Sequence, residues 1–329
     1  MKISVFNDPS CFDVLAVEWS QLLEKSVSKT IFLTPQWQKT WWSALGEGEL
    51  YVMTFHDDDN TLIGIAPLFY PEPERISVVG YKEVTDYVDV IFAKGHEEVC
   101  FAALLDHLAL VAPQWVEFIM YNVPEFSVTH RVLPQSAGKI GWKTEVKIED
   151  VCPQITLPTS FDDYLNMLDG KERRELQRKL RRASEETKIV YSTDSATLDQ
   201  DVADFIRLMM ASTFAKSDFM NPRMEQYFYA QARAMFNAGW LQLAFLEVEG
   251  ERAAAYLNFV YDRQVLVYNS GLDPRKFAYL SPGQVLIARL IEQAIAEGNR
   301  VFDFLQGTEE YKYKLGGKDI KVFNVAIAR

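Results

Sequence analysis

The stretch YLSPGQVLIARLIEQAI, residues 279–295, sets out a helix start in unusual detail. Ser281 is an N-cap residue type, and Pro282 suits the first helical position because the N–H it lacks would be unpaired there. Gln284 stands at capping-box distance from Ser281. Gly283 removes side-chain bulk from the first turn. The free backbone N–H groups and the positive end of the helix dipole are therefore open to an anion such as a pyrophosphate along Leu280, Ser281, Pro282, Gly283 and Gln284. A capped helix with no ligand is the alternative reading. The amphipathic helix runs from Gln284 to Glu297 and ends at Gly298, which can take the left-handed terminal conformation.

Around this helix the same order of elements occurs twice. Upstream lie the strands LQLAFLEV (241–248), AAAYLNFVY (253–261) and QVLVYNSGL (264–272), hinged at Glu249-Gly250-Glu251 and at Asp262-Arg263. Before them come an extended Ile189–Tyr191 and two helices, Val202–Phe214 and Glu225–Phe236, and VFDFL (301–305) follows as a buried strand. The first half opens with ISVF (3–6) and a helical stripe of Phe12, Leu15, Trp19 and Leu22. Thr34-Pro35 then starts a second helix, QWQKTWWSAL. LYVMTF and LIGIAPLFY flank the turn HDDDNT, ISVVG is a third strand, Phe101–Leu110 reads as a helix and Trp115–Tyr121 as a strand. Both halves thus read β-α-α-β-β-β-α-β. The expectation is an α/β protein of two copies, residues 1–151 and 187–329, joined by a helical arm over 152–186.

Composition narrows the function classes. A chain of 329 residues exceeds what one core usually serves, and 48% hydrophobic against 24% charged residues is ordinary for globular domains. No apolar run reaches the ~18 residues of a membrane span, and MKISVFNDPS lacks a signal-peptide pattern, so a cytoplasmic location and no membrane insertion are expected. Cys11, Cys100 and Cys152 are odd in number and far apart, which fits reduced thiols. All four histidines, His56, His96, His107 and His130, fall in the first half without metal-ligand spacing, so no metal is expected. A net charge of -12 disfavours general nucleic-acid binding and requires a local basic site for any anionic ligand.

Such a site exists in the arm. Ser160 and Asp163 form a capping box for FDDYLNML, and KERRELQRKLRRASEE (171–186) follows. Lys171, Arg174, Arg178, Arg181 and Arg182 share one helix face, while Leu176, Leu180 and Ala183 share the opposite, docking face. The cationic face suits the phosphates of CoA, of a nucleotide-linked sugar, of a lipid-linked precursor or of a tRNA acceptor arm. A solvated face balanced by Glu172 and Glu175 is the alternative.

The segments DYVDV (86–90), KERRELQRKLRR (171–182), NSGLDPRKFAYLSPGQVLIARLIEQAI (269–295) and FDFLQGTEEYKYK (302–314) together resemble the acetyltransferase-like proteins associated with bacterial cellulose and polysaccharide biosynthesis. That family belongs to the GNAT superfamily and is similar to the Fem-type aminoacyltransferases. The resemblance covers most of the chain, most strongly from Asp150 onward. It implies a tandem GNAT fold with a mixed sheet and acyl transfer to an amine, with acetyl-CoA or another acyl-CoA as donor. The helix at 282 would hold the donor pyrophosphate, and the acceptor would be a small-molecule or saccharide amine. Under the Fem alternative the donor is an aminoacyl-tRNA, and a third reading is a non-catalytic binding module. Oligomeric state stays open.

Acyl transfer needs a base for the amine and a stabiliser for the charge that develops on the carbonyl oxygen. The second copy has no histidine, so Glu309 or Glu310 is the candidate base, working through a water. Tyr311 is the candidate proton donor to the leaving thiolate, and Lys312 or Lys314 the candidate cation. The Fem resemblance also implies a lysine here without choosing between the two. A solvated, charge-mixed helix start is the competing reading. Asp303, inside an apolar strand, reads as structural, and Trp37, Trp41 and Trp42 as core rather than a sugar-stacking surface. Asp86, Tyr87 and Asp89 are candidate substrate contacts, with both carboxylates on one side of an extended segment. Arg174, Arg178 and Asn269 are further substrate candidates. The first copy has AKGHEE where the second has the SPG turn, so it is expected to be structural or to bind the acceptor.

Overall fold

The computed structural model describes residues 1–80, 83–111 and 115–329. Contacts divide the chain into a first unit, residues 1–151 with 320–329, and a second unit, residues 152–319.

In the first unit the elements run β1 (Lys2–Phe6), α1 (Cys11–Val14), α2 (Ala16–Leu23), α3 (Pro35–Leu45), β2 (Glu49–His56), β3 (Leu62–Glu72), β4 (Arg75–Val78), β5 (Ile91–Phe92), α4 (Glu97–Val111), β6 (Glu117–Pro124), α5 (Thr129–Lys139) and the start of β7 (Lys143–Thr156). Thr34 Oγ1 accepts from the Trp37 N–H at the start of α3, as its residue type anticipates. Trp37 and Trp41 are buried in the core. The four strands β1 to β4 pair antiparallel in chain order, and α4 then carries the chain over to β6, which pairs parallel with β4. A parallel neighbour needs such a crossover, because a hairpin can only return antiparallel.

The second unit continues with α6 (Phe161–Met167), α7 (Gly170–Ala183), β8 (Thr187–Tyr191), α8 (Leu198–Ser212), α9 (Phe214–Phe219), α10 (Pro222–Asn237), β9 (Leu241–Val248), β10 (Glu251–Tyr261), β11 (Gln264–Leu272), α11 (Pro282–Ala296), β12 (Val301–Asp303) and α12 (Glu310–Lys314). Strands β8 to β11 are again an antiparallel run in chain order, and α11 again crosses to a strand, β12, parallel to the last of them. Residues 154–156 of β7 pair antiparallel on the far side of β12. The last strand, β13 (Lys318–Ala328), was expected to stay with the second copy. Instead its residues 322–328 pair antiparallel with β6, in the first unit.

Helix α11, expected to be amphipathic, is instead buried nearly all round, so it needs cover on its outer side as well as a sheet beneath it. The arm supplies this cover. Leu176, Leu180 and Ala183 of α7 and Tyr164 and Leu165 of α6 share one buried cluster with Val285, Ile287, Leu290 and Ile291 of α11. Burying each leucine contributes about 1.5–3 kcal/mol relative to exposure. Segment 152–186 is therefore part of the second unit's core. Among the described residues no helix is long and apolar enough to cross a membrane.

Helix α8 covers β11 and β10 so closely that a β-carbon at Gly271 would lie 2.4 Å from the Met209 nitrogen and 2.6 Å from the Leu208 carbonyl carbon. Backbone atoms cannot rotate away. Gly271→Ala is expected to cost about 2–3 kcal/mol, as overpacked sites do, seen as a lower urea midpoint at unchanged slope.

Candidate active site

Strands β11 and β12 pair only from Gln264/Val301 to Leu266/Asp303, yet β11 runs on to Leu272. Two local features part them. On β11, Asn269 lies opposite Leu257 and Val267 opposite Asn258, so Tyr268 is an extra residue that bends the strand. After β12, Leu305 takes φ 55°, a left-handed conformation that costs a residue with a β-carbon on the order of 1–3 kcal/mol. The turn is held in place from both sides. Asp303, fully buried, accepts from the Leu305 N–H at 2.8 Å and from Gln154 Nε2 at 2.7 Å, which gives this carboxylate the structural role expected of it.

Lys312 secures the other side. The residue is 2% exposed, and its ammonium donates to the carbonyls of Leu305 (3.1 Å), Gln306 (2.6 Å) and Gly307 (3.2 Å) and meets the Glu309 carboxylate at 2.9 Å. An ammonium has three N–H donors, so Lys312 is fully engaged by the turn.

On the β11 side of the gap stands a residue that no motif marks. Lys216 of α9 donates from Nζ to the Ser270 carbonyl at 2.6 Å and to Ser270 Oγ at 3.3 Å, on the part of β11 that β12 has left. Burial lowers its pKa to about 8, the Glu309 carboxylate opposes that shift, and the Lys312 ammonium adds to it. Lys216 lies in a plain TFAKSDF segment, and only the strand geometry gives it a place.

The helix start departs from its expected form. Ser281 has φ 54° and makes no side-chain cap, so the expected capping box is absent. Its carbonyl instead accepts from the N–H groups of Gln284 and Val285 at 3.0 and 3.1 Å. Among the described residues the Gly283 N–H has no partner in these backbone bonds. A β-carbon on Gly283 would meet Leu272 Cδ2 at 2.9 Å, so close approach of α11 to the end of β11 is one reason for glycine here. Leu280 is a core residue, buried with Val248 and Ala253, rather than a surface ligand contact.

Gln284 does open onto a pocket. A cavity of about 310 Å³ is lined by Lys171, Glu172, Glu175, Leu176 and Lys179 of α7, Gln284 of α11, and Tyr311, Lys314 and Leu315 at α12. The Lys179 ammonium donates to Gln284 Oε1 and lies 3.2 Å from Glu175. Three of the expected residues, Gln284, Tyr311 and Lys314, therefore share one pocket. The arm contributes Lys171 and Lys179 to it rather than the expected Arg174 and Arg178. Both arginines are exposed, and Arg178 forks onto Glu175 at 2.8 and 2.7 Å. That fork and Lys179 draw the Glu175 carboxyl down to about 2. Tyr311 packs edge-on to Phe304, and burial holds its hydroxyl well above the ordinary tyrosine range. Glu310 pairs with Lys314 at 2.8 Å in solvent. Asn269 Oδ1 accepts from the Ser270 N–H.

In the first unit, Asp89 is 1% exposed and accepts from Thr129 Oγ1 at 2.6 Å, from the Val90 N–H at 2.9 Å and from Ser28 Oγ. Tyr87 is buried, edge-on to Phe32 and Phe126. Neither is presented to a ligand as expected, since every residue from Tyr87 to Val90 is buried in the core. Asp86 is half-buried. Among the described residues no group of three or more His, Cys, Asp or Glu is placed to hold a metal.

Residues 170–313 match the family described as acetyltransferase (GNAT) domain. The match begins where α7 begins, so the arm helix is inside it. Among solved structures, FemX is similar over 99% of this chain and 97% of its own, at TM-score 0.67 and 12% identity. L-PGS from Bacillus licheniformis is similar over 98% and 92%, at TM-score 0.58 and 11% identity. A tandem GNAT protein from the clavulanic acid biosynthesis pathway is similar over 100% and 99%, at TM-score 0.52 and 12% identity. The fold is a tandem GNAT fold. Among curated protein sequences nothing matches the chain. In the second GNAT copy, β11, α11 and β12 frame the parting of the strands, and α12 and the arm close the pocket beside it.

Lys312→Met would strand the turn's carbonyls and the strained Leu305. Loss of on the order of 3 kcal/mol is expected, from charged hydrogen bonds lost and buried acceptors left unpaired, together with faster amide exchange at Leu305, whose N–H the turn holds.

Proposed function

We propose that this protein is an acyl-CoA-dependent N-acyltransferase whose donor binds in the second GNAT copy. The observation that carries the reading is the parting of β11 from β12 beside the open start of α11, with the pocket between α11, α12 and α7 adjoining it. Beyond Leu266 the edge of β11 has no strand partner on the β12 side among the described residues. On that edge the N–H groups of Ser270 and Leu272 are held by the side-chain oxygens of Asn269 and Ser212, which a carbonyl of a pantetheine arm can replace by bonding as a strand would. The Gly283 N–H and the positive end of α11 suit a pyrophosphate, and Lys179 and Lys171 supply the local positive charge that a protein of net charge -12 must provide. A volume of about 310 Å³ lies at the small end of ligand pockets and suits a slender arm better than a bulky group.

In this reading the amine of a small molecule or saccharide attacks the thioester carbonyl. A C–N bond forms, the C–S bond breaks, and Tyr311 protonates the departing sulfur. Burial keeps the Tyr311 hydroxyl protonated through the physiological range, so the proton is available. Glu309 lies on the acceptor side and can relay a proton through water. Lys312 acts by holding the turn, and Lys314 stays at the pocket rim with Glu310.

A second reading takes an aminoacyl-tRNA as donor. It is favoured by the exposed arginines Arg174, Arg181 and Arg182 on α7 and by the fold similarity to FemX.

Calorimetric titration with acetyl-CoA and with CoA tests the first reading. Binding is expected for the wild type, and the double variant Lys171→Glu, Lys179→Glu is expected to bind at least about tenfold more weakly, since one lost charged hydrogen bond is worth that much. Wild-type protein that binds neither ligand would sink the acyl-CoA reading. Transfer abolished by ribonuclease treatment would support the second reading.

A further inference from the structure

We propose that Lys216 is the base that deprotonates the incoming amine, the neutral form of its side chain taking the proton across the gap between β11 and the 304–309 segment. The proposal rests on the acyl-CoA reading and names a residue that reading does not require.

The Lys216 ammonium sits on the Ser270 carbonyl, in the stretch of β11 beyond the Tyr268 bulge, where the strand edge has lost β12. It bonds Ser270 twice, which leaves one of its three N–H positions without a partner among the described residues. Facing it are Glu309 from the loop before α12 and Lys312 from α12, whose own donors are committed to the turn. Lys216 is the cation of this cluster with capacity left over.

An alkylamine arrives as an ammonium, and a carboxylate is a poor match for its proton because their pKa values lie far apart. A desolvated lysine is a close match. The sign is set by the surroundings: burial and Lys312 disfavour the charged form and Glu309 favours it, the balance falling at about 8. Below that pH the group is an ammonium and inert as a base; above it the amine is free. Lys216 takes one proton from R–NH3+, and the neutral amine adds to the thioester carbonyl. As the intermediate collapses, sulfur leaves with the Tyr311 proton, and the second nitrogen proton returns to Tyr311 through water. Lys216 then releases its proton to solvent, so one proton is released per turnover.

The competing role is a clamp tying α9 to β11, and the test separates the two. Acetyl transfer from acetyl-CoA is followed with two probe amines, 2-aminoethanol, which is protonated at neutral pH, and hydroxylamine, which is not. Lys216→Met is expected to lose at least about 100-fold with 2-aminoethanol, the low end of what acid–base catalysis contributes. The variant is expected to retain hydroxylamine transfer and acetyl-CoA affinity. In the wild type, acetic anhydride labelling of Lys216, read by peptide mass spectrometry against pH, is expected to have its midpoint near 8 and to be blocked by CoA. Equal loss with both amines, loss with neither, or a labelling midpoint above about 10, as for an ordinary lysine, overturns the assignment of Lys216 alone. A wild type that neither binds acetyl-CoA nor transfers to either amine overturns the acyl-CoA reading beneath it.

Discussion

The arrangement of the second copy depends on one buried ammonium. Lys312 gathers three consecutive carbonyls and a carboxylate, and with Asp303 it keeps Leu305 in a backbone conformation a leucine would not otherwise hold. That turn, together with the Tyr268 bulge on β11, parts β12 from β11. With it, the strand edge past Leu266 opens, and the gap acquires Lys216 on one lip and Glu309 on the other. A polar interaction inside a core normally offsets little more than its own desolvation. Here it determines the direction in which the chain leaves the sheet.

The arm has a matching role on the outside. Its leucines cover a helix too apolar to be left half-exposed, and in docking they bring Lys171 and Lys179 over the first turn of α11. Arg174, Arg178, Arg181 and Arg182 of α7 remain in solvent. Packing therefore selects which of the arm's cations serve the pocket, and a helical wheel alone does not, because both sets are equally polar in sequence.

Much of the fold was legible from residue types. The repeated order of elements, the Thr34 and Ser160 caps, the docking face of α7 and the burial of Trp37 and Trp41 follow from periodicity and capping chemistry, which are local. Strands β7 and β13 carry no clear local signal. Polar and charged residues interrupt β7 over 143–150, and β13 pairs with β6, far away in sequence. The Ser281 side-chain cap was a false signal, because the left-handed backbone there turns the carbonyl, and not the hydroxyl, to the helix N–H groups.

By itself the sequence determined that two copies of one α/β unit exist, that the second carries an open helix start, and that charged and aromatic residues cluster after Gly307. Only the tertiary structure decided which of these groups work together. Tyr87 and Asp89 sank into the core, Lys312 was committed to a turn, and Lys216 was set on a strand edge by a helix more than 50 residues earlier in the chain. The physical reason is range. Capping and amphipathicity act over a few residues, whereas desolvation and charge pairing depend on which distant segments share a low-dielectric space, and the parting of two strands is what brought these segments together.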